Sequence, residues 1–514
     1  MIYDANLKYL DLDNIQADIV IVGAGTIGIF LASYLLSLND KLNLILVEAG
    51  GEIASAALDV GAIECKGKKH SGYSIGRASG LGGTSTLWGG QLAEFDRQDL
   101  EGLDASWPIS FEELKSYYDL VYVFLDIKRE NPEHTKALFG GELAPNPKIE
   151  RFFTHWLKEP NFSRLYKKII NSKNTKFLIN LTANRINFNE KTAKSIGCKN
   201  ANGNNINIHF KKIIFSAGTI STNRFFLSTK ECKNVPWSNN ENIGCYFQDH
   251  LGGKIADVEI YNEKLFREYF ENAIVNGIKI QPKLKFSDIE RENLVSGACA
   301  FFGFNSSLSE SIDNIKHLIR MFRANLFLSR KKSIFQDLFT LSKLILPIII
   351  RYCKDRRILA VFDRGVFLQV QAEQIPLKFS QITIDRGQIY KDGLNRIKLE
   401  WLCDGREIFS ISKLAKNIND YLVDKEIGRL HIKSELLSMD PMFVNSLNDT
   451  YHQCGGMRMS LDSSDGVVNK NCLVWGTDNV WVADASIFPS SSHANCTLTA
   501  LALSARLAKE LVSI

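Results

Sequence analysis

The chain has 514 residues, 45% hydrophobic and 23% charged, a globular composition too long for one simple core, so two domains are expected. Of the net charge of +5, the segment Arg320 to Arg357 alone supplies +8, from ten Lys or Arg against Asp337 and Asp355, and the acidic remainder excludes a general nucleic-acid binder. Ten cysteines without a C-x-x-C spacing exclude a zinc knuckle or a disulfide framework, and no metal site is predicted.

The first residues, Met1-Ile-Tyr-Asp-Ala-Asn6, carry no basic start and no apolar run, so a cytoplasmic protein is expected, with attachment to the inner membrane face left open. Ala17-Asp-Ile-Val-Ile-Val22 is a short apolar, β-branched run of the kind that forms a buried parallel strand. Gly23, Gly25 and Gly28 follow it directly, and Ile27 to Leu38 reads as a packed helix. In this pattern the glycines serve a tight turn, close approach of backbone to a pyrophosphate, and helix-on-strand packing. The helix N-terminus offers free N–H groups to phosphate. A second strand, Leu42 to Val47, ends in Glu48, 20 residues past Gly28, where a carboxylate can accept from both ribose hydroxyls. These residues predict a dinucleotide site and do not separate FAD from NAD.

Gly80 to Gly90 is too rich in glycine for a stable helix and reads as a loop held by ligand or packing, with Trp88 beside hydroxyls at Thr84, Ser85 and Thr86. Further on, residues 276–286, 294–304, 366–372 and 379–384 have the alternation of strands. The segment 310–360 reads as a basic helical insertion. Ile315, Leu318, Ile319, Phe322 and Leu326 share one helical face there, and Ile334 to Ile350 is apolar but too interrupted to span a bilayer. Packed helices, or a peripheral contact with a membrane or lipid-linked substrate through Arg320–Arg357, both fit that composition.

Taken together, several blocks resemble the glucose–methanol–choline (GMC) family of FAD oxidoreductases. They are the first strand and helix, Gly82-Gly83-Thr84-Ser85, Trp107-Pro-Ile-Ser110, Ile213 to Arg224, Asp249-His250, and the stretch from Tyr451 to Thr497. The resemblance implies an α/β fold: a discontinuous Rossmann-like FAD-binding domain, from 15–130, 180–260 and 450–514, and an α+β substrate domain on a largely antiparallel sheet, from 131–179 and 261–449.

The resemblance also implies a cofactor set. Gly23, Gly25, Thr26, Gly28 and Glu48 fall on the ADP half, while Gly82, Gly83, Thr84, Ser85, Trp88 and Asp484 approach the flavin. Ala217, Gly218 and Thr497 complete it. Leu87 stands where some relatives carry a flavin-linking histidine, so non-covalent FAD is expected. His452, in Tyr-His-x-x-Gly-Gly, matches the family's catalytic histidine, and Asn495, six residues after Pro489, the second position of the pair. Histidine suits proton abstraction because its ordinary pKa lies near neutrality. His493 is assigned to the substrate pocket or to structure, His250 to structure, and Cys454 and Cys496 to packing.

The implied reaction oxidises a hydroxyl, on a small-molecule sugar or alcohol, to a carbonyl. Glu373-Gln374-Ile-Pro376 resembles an element of sugar-oxidising members and points to a sugar or polyol. A non-redox lyase of the same family, or a flavin-binding membrane-surface module, are the alternatives. The electron acceptor, oxygen or another, is left open.

Overall fold

The computed structural model describes residues 1–7, 15–58, 63–102, 107–128, 132–141, 147–232, 234–307 and 346–513. Its framework is an eight-stranded sheet. The strand Ile15–Val22 lies between Leu44–Val47 and Asn205–Phe215, parallel to both, with Ile21 opposite Leu46 and Ile214. Thr175–Ile179 and then Ile2–Asp4 extend one edge, and the antiparallel strands Thr192–Asn200 and Leu181–Asn189 the other. Val480–Val482 joins Asn205–Phe215 from the far end of the chain. All four residues of Leu44–Val47 are buried, as expected for a parallel strand covered on both faces.

The helix Thr26–Leu38 is apolar on nearly all sides because it sits between this sheet and other helices, Phe30 and Leu31 being fully buried. The C-terminal helix Cys496–Ser513 packs against it and against Phe111–Phe124. That third helix starts at Ser110, whose hydroxyl accepts from the amide of Glu113 as an N-cap. Trp107, just before it, donates through Nε1 to Ser490 Oγ at 2.8 Å and so ties the helix to the C-terminal loop.

A nine-stranded sheet forms the second layer, with strand order Gly428–Ile432, Leu251–Ile260, Val366–Ala372, Ala298–Phe304, Ile278–Phe286, Ile149–Trp156, Gln91–Leu92, and with Asn448–Asp449 on Leu251–Ile260 and Ala273–Val275 on Ile278–Phe286, all antiparallel. Leu251–Ile260 belongs to this sheet, and Thr175–Ile179 to the first, so the chain crosses between layers at different residues from those read in the sequence. The expected strand near 379–384 exists as Gln381–Ile389, yet it pairs with Asn395–Trp401 and Ile63–Gly67 in a separate small sheet rather than in the roof. Its Ile382 N–H is taken by Gly244 O, which fixes it to the nucleotide layer.

Most of the basic insertion lies outside the described residues. Residues 346–355 are helical and expose Leu346, Ile349 and Ile350. Arg351 instead pairs with Glu271 at 2.6 Å and Asp355 at 2.7 Å, and the buried Arg357 donates to the carbonyls of Glu271 and Leu138. These two cations serve the fold. Among the described residues no helix is long and apolar enough to cross a membrane.

Candidate active site

A cleft of about 440 Å³ opens at the ends of the nucleotide-sheet strands, beside the loop Thr450 to Gln453. Its floor is the turn after Val22. Gly23 has φ +106°, and a Cβ there would meet Ser216 O at 2.5 Å, so only glycine lets this strand end lie against its neighbour. Gly25 and Thr26 line the cleft, whereas Gly28 does not: its role is packing, since a Cβ would fall 2.0 Å from Gly23 O. Three long helices begin at this cleft, Thr26–Leu38, Thr219–Lys230 and Cys496–Ser513. The first two have no side-chain cap, so their first N–H groups and positive dipole ends are available to an anion. Gly218, with φ +84°, has open space where a Cβ would stand, and Arg77 adds a cation, held by Ser221 Oγ at 2.8 Å. Apolar walls come from Val47, Leu181, Phe215 and Leu394. A bare glycine cradle, uncapped helix starts and apolar flanks fit a dinucleotide.

Glu48 sits in the wall of this cleft, but its carboxylate is used as a clamp. Oε1 accepts from the amides of Gly50 and Gly80, at 2.9 and 2.8 Å, and Oε2 from Ala24 at 2.8 Å. One carboxylate thus holds three loops together, and only Oε2 keeps an acceptor position for a further donor. Burial raises its pKa, against the three amide bonds that lower it. The glycine loop condenses into a turn of 3₁₀ helix, Gly83–Thr86. Gly83, Thr84, Ser85, Leu87 and Trp88 line the cleft. Gly82 stands behind them at φ +88°, where a Cβ would meet Asn161 Oδ1 at 2.7 Å. Trp88 donates to Pro160 O at 2.8 Å, so the ring is fixed before any ligand arrives.

Asp484, also in the wall, accepts from Gly218 N at 3.0 Å and Thr222 Oγ1 at 2.6 Å through Oδ2, and from Ser486 N at 2.9 Å through Oδ1. It locks the start of helix Thr219–Lys230 to the C-terminal segment. Ala217 and Thr497 complete the lining on either side of it.

The histidine end of the cleft is built on a tight turn. Tyr451 adopts φ +67°, Gly455 +83° and Gly456 +91°, and Cβ atoms on the glycines would meet Tyr246 O at 2.1 Å and the Asn223 amide at 2.3 Å. His452, between them, lines the cleft and is partly exposed to it. Its Nε2 is 3.0 Å from Asn495 Nδ2. An amide nitrogen can only donate, so Nε2 carries the lone pair and Nδ1 the proton in the neutral ring. Nδ1 lies 2.7 Å from Thr450 Oγ1 and 3.1 Å from His250 Nδ1. Burial, then the neighbouring His250, push the His452 pKa down to about 3, against Asp249, which raises it.

Sequence reasoning did not find the group that organises this corner. Asp249 is fully buried, and its Oδ1 accepts from the amides of His250, His452 and Thr450 at 2.7, 3.0 and 3.2 Å. Oδ2 faces His70 Nε2 at 3.1 Å. His70 Nδ1 accepts from Tyr73 N at 3.2 Å, which fixes Nε2–H toward the aspartate. Burial opposes ionisation of Asp249, yet His70 and the other histidines hold its pKa below the ordinary value of 3.8. The Asp249-His250 dipeptide was the available signal. His70 had none.

One other expectation changes. Glu373 and Gln374, read as sugar-selecting, are buried inside the fold and do not line the cleft. Glu373 accepts from Gly297 N and Arg291, while Gln374 Oε1 accepts from Asp249 N at 3.0 Å and Trp401 Nε1 at 2.7 Å. His493 stands between Asp96 and Asp99, at 3.6 and 3.7 Å, and is likewise outside the cleft wall. It is Asn495 that meets His452.

Residues 378–504, which include both members of that pair, match the family model described as GMC oxidoreductase. Over that segment, about a quarter of the chain, the sequence is similar to this family. Solved structures share the chain's fold over nearly its whole length. The crystal structure of pyridoxine 4-oxidase from Mesorbium loti is similar with a TM-score of 0.61 at 16% identity, covering 97% of this chain and 99% of that one. Formate oxidase is similar with a TM-score of 0.58 at 15% identity, covering 98% and 99%. No curated protein sequence matches the chain. The segment match supports an FAD-dependent oxidoreductase acting on CH–OH groups.

Proposed function

We propose that this protein oxidises a primary or secondary alcohol to a carbonyl compound, with His452 Nε2 as the base and Asn495 as the donor that orients the substrate oxygen. Bound FAD supplies the hydride acceptor, N5 of its flavin ring. In this reading the uncapped starts of helices Thr26–Leu38 and Thr219–Lys230 hold the pyrophosphate. Gly83 to Ser85 and Trp88 border the flavin, and Asp484 braces the loops on which both rest.

The observation that carries the proposal is the His452–Asn495 contact at the wall of the cleft. The amide selects the tautomer with its lone pair on Nε2; a bound hydroxyl would draw the Asn495 N–H onto its own oxygen and give its proton to Nε2, and a pKa pushed down to about 3 keeps that ring neutral at physiological pH. A positioned base of this kind is worth about 10²–10⁴ in rate. The Asn495 amide has a second N–H for a substrate oxygen, and its buried Oδ1 has no partner. The feature that had suggested a sugar is occupied inside the fold, so the proposal names the reacting hydroxyl rather than a sugar. The two structural neighbours named above for pyridoxine and formate support small substrates.

The test is anaerobic. The holoenzyme is mixed with a panel of alcohols and sugars, and the flavin band near about 450 nm is followed. Bleaching by an alcohol supports the reading. A protein that binds FAD and is bleached by none of the panel, yet splits a cyanohydrin, would establish the lyase alternative.

A further inference from the structure

The His452 ring is well placed to receive a proton and badly placed to keep one. It is enclosed and has no carboxylate on either ring nitrogen; its bonds run to Asn495, Thr450 and His250. The neighbouring imidazole is differently built. His250 Nε2 lies 3.0 Å from Ser491 O, a partner that can only accept, so Nε2 carries a hydrogen in every state. In the neutral ring Nδ1 is then a lone pair, and it faces His452 Nδ1 at 3.1 Å, the rings' centroids being 4.9 Å apart.

In the neutral rings the Asn495 amide donates to His452 Nε2 and His250 Nε2–H to the Ser491 carbonyl, and the His452 Nδ1–H lies between two acceptors, Thr450 Oγ1 at 2.7 Å and His250 Nδ1 at 3.1 Å. Resting on the alcohol-oxidation reading above, we propose that His250 is a second proton station, taking the Nδ1 proton of His452 as the substrate hydroxyl delivers its own to Nε2. One O–H bond and one N–H bond break, and two N–H bonds form. His452 ends neutral with its hydrogen on Nε2, and His250 ends as an imidazolium donating to Ser491 O and His452 Nδ1. Once the product has left, His250 returns its Nδ1 proton to His452 Nδ1 and the Nε2 proton passes to water entering the cleft, which restores both neutral rings.

The surroundings favour charge on His250 over His452. Asp249 is its chain neighbour and accepts its amide, and the Cys496 thiol approaches the ring. Burial works against the charged form, but Cys496, Asp249 and Ser491 together raise the His250 pKa above its ordinary 6.5. Lys283 lies on the side of His452, whose pKa it lowers further, and His70 is held beyond Asp249. Gln371 Nε2, which donates to His493 O at 2.8 Å, also reaches His250 Nδ1 at 3.1 Å and so favours the lone pair there in the neutral ring. His250 acts through His452 and is a positioning residue.

The consequence is a pH dependence of definite sign. A protonated His250 turns its Nδ1–H on His452 Nδ1, which forces the His452 hydrogen onto Nε2 and removes the base. Reduction of the flavin should then fail as pH falls through the raised His250 pKa, above 6.5, and not near the His452 value of about 3. The experiment compares wild-type and His250→Asn holoenzymes by anaerobic stopped flow across pH. FAD content and the flavin circular dichroism spectrum confirm the folded site.

The expected result for the variant is a kcat lowered about 10–100-fold with KM little changed. Its acid limb should shift to lower pH by about one unit or more. A proton inventory should be curved in wild type, for two protons in motion, and linear in the variant. A folded His250→Asn enzyme with the wild-type acid limb and inventory overturns the relay, as does a Thr450→Val enzyme that alone loses both, since the proton then moves through the hydroxyl. Loss of bleaching in His452→Ala with none of these changes in His250→Asn sinks the relay alone; undiminished bleaching in His452→Ala sinks the base assignment itself.

Discussion

His452 Nε2 and Asn495 Nδ2 lie 3.0 Å apart although 43 residues separate them in the chain. One sits on a strained glycine turn and the other directly before the C-terminal helix, so the contact depends on the fold bringing these two loops to one end of the cleft. Replacing His452 by alanine should leave the protein yellow and lower the rate of anaerobic flavin reduction about 10²–10⁴-fold, read by stopped-flow absorbance. A near-wild-type reduction rate would remove His452 from the chemistry.

Asn495→Ala removes the donor that selects the His452 tautomer and orients the alcohol. The expected loss is about 10²-fold in kcat, comparable to removing one positioned donor from a reaction site. Asn495→Asp should be worse than alanine, because a carboxylate accepts at Nε2 and favours the tautomer with its hydrogen there. Equal activity of the two variants would show that tautomer selection is not what Asn495 does.

Asp249 links pH to stability. Its folded pKa is depressed below 3.8, so its contribution is complete above that value and is lost as pH falls through the folded value. The loop carrying Thr450 and His452 hangs on the same carboxylate through two amides. Flavin circular dichroism should therefore be steady from neutrality to about pH 4 and collapse below it. Asp249→Asn should be less stable than wild type at pH 7 and show a flatter acid transition. Matching urea midpoints at pH 7 would refute this.

Gly28 tests the nucleotide turn without touching the ligand. A methyl group at that position would meet Gly23 O at 2.0 Å, in a helix that already fits its strand closely. Gly28→Ala should cost about 1–3 kcal/mol by overpacking and weaken FAD retention by shifting the helix start. Thermal melts and the A280-to-flavin absorbance ratio measure both. Gly218→Ala, with open space but φ +84°, should instead fold with a smaller loss and bind FAD poorly.

The fate of the cofactor on denaturation checks the absence of a bond at Leu87. That side chain lines the cleft and offers no nucleophile. Acid precipitation should leave a colourless pellet and FAD in the supernatant; flavin retained in the pellet would place a covalent link elsewhere in the chain.

The nucleotide strand, its glycines, the glycine loop and the His–Asn pair were legible because each is local. A β-branched run, a forced positive φ or a family motif needs only a few consecutive residues. Glu48 was found in the right place, but its three amide partners come from loops at Ala24, Gly50 and Gly80, which no spacing reveals. Glu373 and Gln374 misled for the same reason. Their side chains looked available in the sequence, and the fold spends them on Arg291, Trp401 and the Asp249 amide. The strand at Gln381–Ile389 was read correctly as a strand but paired in a different sheet, because pairing is decided by distant partners.

The sequence by itself determined the resemblance, the glycine turn after the first long strand, and the two residues, His452 and Asn495, that meet at one end of the cleft. Only the tertiary structure decided that Asp249, His70 and His250 surround them, and in which direction the hydrogen bonds of His452 run. Glycine geometry and short motifs are written in neighbouring residues. A ring's tautomer and the charge it can hold depend on which polar atoms, from anywhere in the chain, are buried within about 3 Å of it.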